Sequence, residues 1–153
     1  MTKDKNEHTA VARSNSMPIS TKISFEICNF IRGKEVKKAQ LHLKSVIDHK
    51  MAVPYIRYNK DTPHRPGAMA SGRYPEKAAG FFIKLLNSLI ANAEDKGLNA
   101  ADLIITKATA NKGANRYHTG RIRGIKMKVT HLEIEAKEGS DKKWLKEKYL
   151  QWR

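Results

Sequence analysis

The stretch "NKGANRYHTGRIRGIKMK", Asn111 to Lys128, decides how the rest of the chain is read. It holds Lys112, Arg116, Arg121, Arg123, Lys126 and Lys128 without one Asp or Glu. Its apolar residues, such as Ile122, Ile125 and Met127, are too sparse to form a core of their own. Just before it, "DLIITKATA" is apolar and β-branched and predicts a strand from Leu103 to about Ala110. Just after it, "VTHLEIEAKE" alternates Leu132, Ile134 and Ala136 with His131, Glu133, Glu135 and Lys137, the pattern of a half-buried strand. Two adjacent strands with a long basic connection predict a β-hairpin over about 103–136, its base in a sheet and its distal half protruding. At about 3.3 Å per residue, ten residues per arm would reach roughly 33 Å. A lone ribbon is marginal in water, and unopposed positive charge makes it worse, so this one calls for an anionic scaffold. Gly113, Gly120 and Gly124 leave the backbone room for turns or for close approach to phosphates. Arg116 beside Tyr117 and His118 combines a phosphate donor with a stacking face. The plainer alternative is a basic loop that binds nothing specific.

Composition points the same way. The 153 residues suffice for one hydrophobic core, and 40 % of them are apolar. Thirty Lys and Arg against 15 Asp and Glu give a formal net charge of +15. That excess opposes compaction and suits an anionic partner, nucleic acid before a membrane surface. No apolar run is long enough to span a membrane, and "MTKDKNEHTAVARSNS" lacks the apolar stretch of a signal peptide, so a cytosolic protein is expected. A membrane-surface role would need a basic amphipathic helix with large apolar anchors. The single cysteine, Cys28, excludes an internal disulfide and a cysteine-based zinc site.

Along the chain, Thr9 to Arg13 reads as a short strand. Ser20 offers a helix cap, Ile23, Ile27, Phe30 and Ile31 repeat at helical spacing, and Gly33 supplies a left-handed stop. A second helix is expected from Val36 to His49, with Pro54 forbidding continuation. Residues 51–74, "MAVPYIRYNKDTPHRPGAMASGRY", are broken by three prolines and two glycines and predict an irregular loop. A loop this long inside a compact domain is usually functional or disordered. Pro75 then opens the clearest helix, "PEKAAGFFIKLLNSLIANAEDKG", with a stripe from Ala78 through Phe82, Leu86 and Leu89 to Ala93 and a stop at Gly97. The tail "DKKWLKEKYLQWR" offers Trp144, Tyr149 and Trp152 on a short helix. These elements predict an α+β fold: three helices on a small three-stranded antiparallel sheet, with a long protruding hairpin. Residues 1–137 form one domain and 138–153 a tail.

Enzymatic chemistry finds little support. No phosphate-cradling glycine loop ends in Lys and Ser or Thr, and the six histidines never meet at ligand spacing on a helix face. No catalytic residue, metal or cofactor is expected. Lys22, Lys34, Arg57, Arg65, Arg73 and His131 join the six cations of the opening stretch as candidate RNA contacts. For helix lysines such as Lys22 and Lys34 a solvated face is an equal reading, and His131 could be merely exposed. Tyr55, Tyr58 and Tyr74 either stack on bases or plug the edge of the core.

The order of "IRGK", "GRYP", "LLNSLIANAEDKGL", an apolar strand, a basic hairpin with "GRI" at 120–122, and "THLEIEA" resembles the large-subunit ribosomal protein numbered twenty-two, in its archaeal and eukaryotic form. The likeness covers about Ala10 to Ala136, with a hairpin shorter and less arginine-rich than the family's usual one. The resemblance implies a non-catalytic constituent of the cytoplasmic ribosome. Its partners would be large-subunit rRNA, neighbouring ribosomal proteins and the nascent polypeptide, with no membrane. Tyr117, His118, Thr119 and Gly120 would be the tip lining the exit tunnel. From charge and fold alone, the alternative is a free-standing RNA-binding or RNA-modifying factor.

Overall fold

The structure, a computed structural model, describes residues 8–139. The helix expected in the tail, with Trp144, Tyr149 and Trp152, lies outside the described residues. Strand β1 (Thr9–Met17) leads into helices α1 (Thr21–Ile31) and α2 (Val36–Ile47). The short strands β2 (Val53–Pro54) and β3 (Gly72–Arg73) bracket the loop, and helix α3 (Glu76–Asp95) follows. Strands β4 (Leu103–Lys112) and β5 (Thr130–Glu138) complete the described chain.

Periodicity explains the helices. α1 buries Ile27, Cys28 and Ile31 and stops where Gly33 turns to φ 78°, a left-handed conformation that costs glycine little. α2 buries Val36, Ala39, Leu43 and Val46 along one stripe. α3 ends in a Schellman arrangement: Leu98 N–H donates to Ala93 O at 2.9 Å and Gly97 N–H to Glu94 O at 2.9 Å. Phe82, Leu86 and Leu89 on α3 are fully buried.

β1, β5 and β4 form an antiparallel sheet in that order, so β5 is the central strand. Ile134 lies between Ala12 of β1 and Ala108 of β4. The alternation puts Thr130, Leu132, Ile134 and Ala136 on the buried face, where α3 packs against β1 and α1 against β4, while α2 packs on α3. The expected α+β architecture, three helices on a three-stranded antiparallel sheet, is the one observed. The outer edge of β4 is covered at Ile105, which accepts from Gly33 N–H at 2.8 Å and donates to Lys34 O at 3.0 Å.

Two differences bear on the site. β1 runs past the expected Arg13 to Met17 through an irregularity between Ser14 and Met17, where Ser16 takes φ 57°. His131 Nδ1 accepts the Ser16 N–H at 3.2 Å and so fastens that kink to the central strand. The segment 51–74 is less irregular than its composition predicts, because β2 and β3 pair antiparallel and close it at its neck.

Candidate nucleic-acid interface

Regular pairing of the hairpin ends at Lys112 and Thr130. Gly113 N–H still donates to Val129 O at 3.0 Å, Met127 N–H to Arg116 O at 2.7 Å and His118 N–H to Ile125 O at 3.0 Å. Tyr117 and Lys126 form an isolated bridge, and a single 3₁₀ turn spans Gly120–Ile122. The chain therefore reverses over Thr119–Gly124, centred on Arg121 and Ile122. Tyr117 and His118, expected at the tip, lie on the outgoing arm, and Arg121 and Arg123, expected as RNA contacts, lie in the turn itself. Only Thr119 and Gly120 of the expected tip belong to the turn. Six residues, Gly113 to His118, form the free outgoing arm, so its reach is at most about 20 Å rather than roughly 33 Å. Three glycines left the position of the turn open in the sequence, whereas the fixed register of β4 on β5 settles it.

Every residue from Ala114 to Lys128 except His118 is exposed, and none of the ion pairs among the described residues involves this stretch. Lys126 Nζ sits 4.9 Å from the Tyr117 ring centre, and Tyr117, His118, Thr119, Gly120 and Arg123 together line a shallow open hollow.

The loop contributes a second basic surface. Arg57 lies exposed, its guanidinium 5.2 Å from the Phe25 ring and 5.5 Å from that of Tyr58. Lys22 reaches the same Tyr58 ring from α1, at 5.8 Å. Arg65 stands 5.3 Å from the Tyr74 ring, and Arg73 donates to Asp61 O at 3.1 Å while lying 5.7 Å from Tyr55. The tyrosines divide: Tyr55 is a core residue, 5 % exposed, while Tyr58 and Tyr74 are half-buried at the surface. Burial pushes the Tyr55 hydroxyl up to about 12, against the lowering pull of Arg73. A cleft of about 450 Å³ joins the two surfaces, with Tyr74, Pro75 and Lys77 on one side and Lys128 at the hairpin base on the other.

Lys34 and His131 are placed otherwise. The Lys34 ammonium, in the link between α1 and α2, folds back onto the end of α1, donating to Phe30 O and lying 3.6 Å from the Phe30 ring centre. Burial lowers its pKa. Desolvation, followed by the charges of Lys34 and Lys38, lowers the pKa of His42 on the next helix. The ring of His131 packs at the hairpin base, where a Cβ added to Gly113 would meet Nε2 at 2.8 Å. The residue that sequence reasoning passed over is Glu26, whose carboxylate accepts the backbone N–H groups of Ile56, Arg57 and Tyr58. Its one signal was a carboxylate flanking the apolar stripe of α1.

A family model for ribosomal protein L22p/L17e matches residues 12–137. The chain belongs to this family. It is 45 % identical over 106 residues to the large ribosomal subunit protein uL22 of Archaeoglobus fulgidus, covering 68 % of each chain. The protein of the same name from Nanoarchaeum equitans is 37 % identical over 142 residues, covering 88 % of this chain and 82 % of its own length. That of Cenarchaeum symbiosum is 45 % identical over 127 residues, 78 % of this chain and 83 % of its own. Membership of the L22p/L17e family makes the chain a structural, non-enzymatic ribosomal protein of the large subunit in the cytoplasmic ribosome. No helix among the described residues is long and apolar enough to cross a membrane.

Proposed function

We propose that the chain binds large-subunit rRNA through the loop at 51–74 and the arms of the hairpin, and that the hairpin's turn lines the polypeptide exit tunnel. The observation that carries this reading is the stretch 114–128, basic, exposed save for His118 and without an acidic partner among the described residues. A segment like that lowers its free energy when phosphates surround it, because each contact gains a charge-assisted bond and releases counterions. On this reading Lys112, Arg116, Lys126 and Lys128 hold RNA along the arms. The turn from Thr119 to Gly124, with the hollow under Tyr117 and His118, faces the passage and the nascent polypeptide. Lys22, Arg57, Arg65 and Arg73 hold RNA at the loop, and the remaining faces meet neighbouring ribosomal proteins.

Sedimentation through a high-salt gradient tests the first half. An integral rRNA-bound protein stays with the large subunit, and a free-standing RNA-binding factor washes off. Replacing Thr119–Gly124 by Asn-Gly between His118 and Ile125, which already bond across the hairpin, tests the second. Incorporation near normal with altered passage of nascent chains is the expected result, and loss of incorporation would make the turn the anchor instead.

A further inference from the structure

Glu26 is the one carboxylate side chain fully withdrawn from water among the described residues, and none of their ion pairs includes it. Its partners are three consecutive backbone donors. Ile56 N–H reaches Oε2 at 3.3 Å, while Arg57 and Tyr58 N–H reach Oε1 at 3.0 and 2.7 Å. Successive amides converging on an anion form the kind of concavity that elsewhere holds phosphate. Here the protein fills it with its own side chain. With the amides of 56–58 turned inward, Ile56 is left 72 % exposed and Arg57 fully at the surface.

The residues so placed gather around α1. Tyr58 meets Phe25 edge-on, the ring centres 5.6 Å apart, and Arg57 and Lys22 lie over these rings from the loop and the helix. We infer that Glu26 is a positioning residue for a platform of Lys22, Phe25, Ile56, Arg57 and Tyr58 that takes an unpaired RNA base. The inference rests on the rRNA-binding reading above and adds a ligand class to it. A phosphate alone would need the two cations; it would have no use for an exposed isoleucine beside an aromatic pair. A splayed base uses both, stacking on guanidinium and ring surfaces while its phosphates meet Lys22 and Arg57. The position demands a carboxylate because both of its oxygens accept, whereas an amide could keep its one oxygen for Arg57 and Tyr58 N–H and would then turn its NH2 group toward Ile56 N–H. One backbone donor would then be orphaned and the 56–58 turn would lose its set.

The sign of one substitution tests this. Glu26→Gln removes a negative charge from a protein that binds a polyanion, so long-range charge alone predicts tighter binding. Mispositioning predicts weaker binding. The full chain and its E26Q variant are titrated with single-stranded poly(A) RNA and with heparin, a polyanion without bases. The expected result is a loss of about 5- to 10-fold on poly(A), part of the worth of one base stack, with heparin binding unchanged or tighter. Poly(A) affinity equal to or above wild type overturns the inference, as does an equal loss on both ligands. The same substitution in an Arg57→Ala, Tyr58→Ala background controls for damage to the fold. There E26Q should cost nothing further, and an undiminished loss overturns the inference. If wild type binds neither poly(A) nor a large-subunit rRNA transcript, the rRNA reading itself fails, which is a different result from E26Q matching a wild type that binds.

Discussion

From Leu103 to Lys112, β4 runs against β5 in a fixed register, its inner face buried and its outer face crossed by ion pairs. Beyond Gly113 the same two segments continue outward, still joined by a few backbone bonds, their only charged residues cations and nearly all of their side chains exposed. In the proximal half Arg13 and Lys107 both reach Glu133, and Lys107 also bonds Glu135. In the distal half Arg116, Arg121, Arg123, Lys126 and Lys128 take part in none of the ion pairs among the described residues. The contrast separates a part of the hairpin that satisfies its own charges from a part that, among the described residues, does not. Within one hairpin, buried apolar alternation and paired charge make a self-sufficient sheet, and removing both leaves the basic strip to which the proposed function assigns RNA.

The largest expected effect follows from that division. Replacing Arg116, Lys126 and Lys128 together with Ala should leave the fold intact and impair incorporation into the large subunit. Each lost charge-assisted contact costs on the order of 1.5–3 kcal/mol. The slope of log affinity against log salt should fall by roughly 2, about 0.7 for each of three contacts. Filter binding to a large-subunit rRNA transcript over a salt series, beside a melting curve of the free protein, measures both. A fall in melting temperature with an unchanged salt slope would erase the comparison, because the arms would then be part of the folded core.

Next come two isoleucines of the same hairpin, truncated in the same way. Ile134 is fully buried at the centre of the sheet, and Ile125 is 58 % exposed beside the turn. Ile134→Ala should cost about 2–5 kcal/mol, the usual loss for an emptied core site. Ile125→Ala should cost within about 0.5 kcal/mol. Denaturant unfolding of the two variants puts a number on the difference, and equal costs would mean that the distal half is folded on its own account.

The proximal half was legible in the sequence and the boundary between the halves was not. Ile134 announces itself, since "THLEIEA" can bury its apolar residues only as a half-covered strand, and the stripe on α3 is equally plain. The turn was not legible because Gly113, Gly120 and Gly124 each permit a reversal. Of the three, Gly120 alone takes a positive φ, 75°. The length of β1 was hidden by Ser16, a residue that gives no warning of left-handed backbone. Glu26 was hidden for a related reason: its partners are backbone amides, and amides leave no mark on a sequence.

Gly113 is where the boundary can be broken directly. A Cβ there would lie 2.6 Å from Val129 Cγ1 and 2.8 Å from His131 Nε2, closer than side chains approach. His131 cannot swing away without releasing the Ser16 N–H, to which it is bonded at 3.2 Å. Gly113→Ala should therefore destabilise the folded chain by about 1–3 kcal/mol, the usual cost of overpacking a fitted site. Substituting Gly124, where an added Cβ meets nothing, should cost far less. Thermal melting distinguishes them, and a harmless Gly113→Ala would show that the base of the hairpin yields as easily as its end.

The smallest effect belongs to the ion pairs on the open face of the sheet, and it carries a pH signature. Hydrogen bonding from Arg13, then the charges of Lys107 and Arg13, holds the Glu133 carboxyl below the usual carboxylate range despite some desolvation. A carboxyl lowered in this way favours the folded state when ionised. Its contribution is full above the unfolded value of about 4.3, and it is lost as pH falls through the lower folded value. Arg13 is 70 % exposed, so the pair is largely screened and should be worth no more than several tenths of a kcal/mol. Glu133→Gln should accordingly lower stability only slightly at neutral pH, and the gap from wild type should close as the solution is acidified. Lys107 behaves oppositely: its bond to Glu135 raises its pKa, so its contribution is present at neutral pH and fades on the alkaline side. Denaturant midpoints of wild type and Glu133→Gln across the acid range give the answer. A gap that widens on acidification would reverse the sign argued for Glu133. A gap of several kcal/mol at neutral pH would mean that the proximal half depends on its charges as much as the distal half is proposed to depend on RNA, and the contrast between the two halves would have to be redrawn around burial alone.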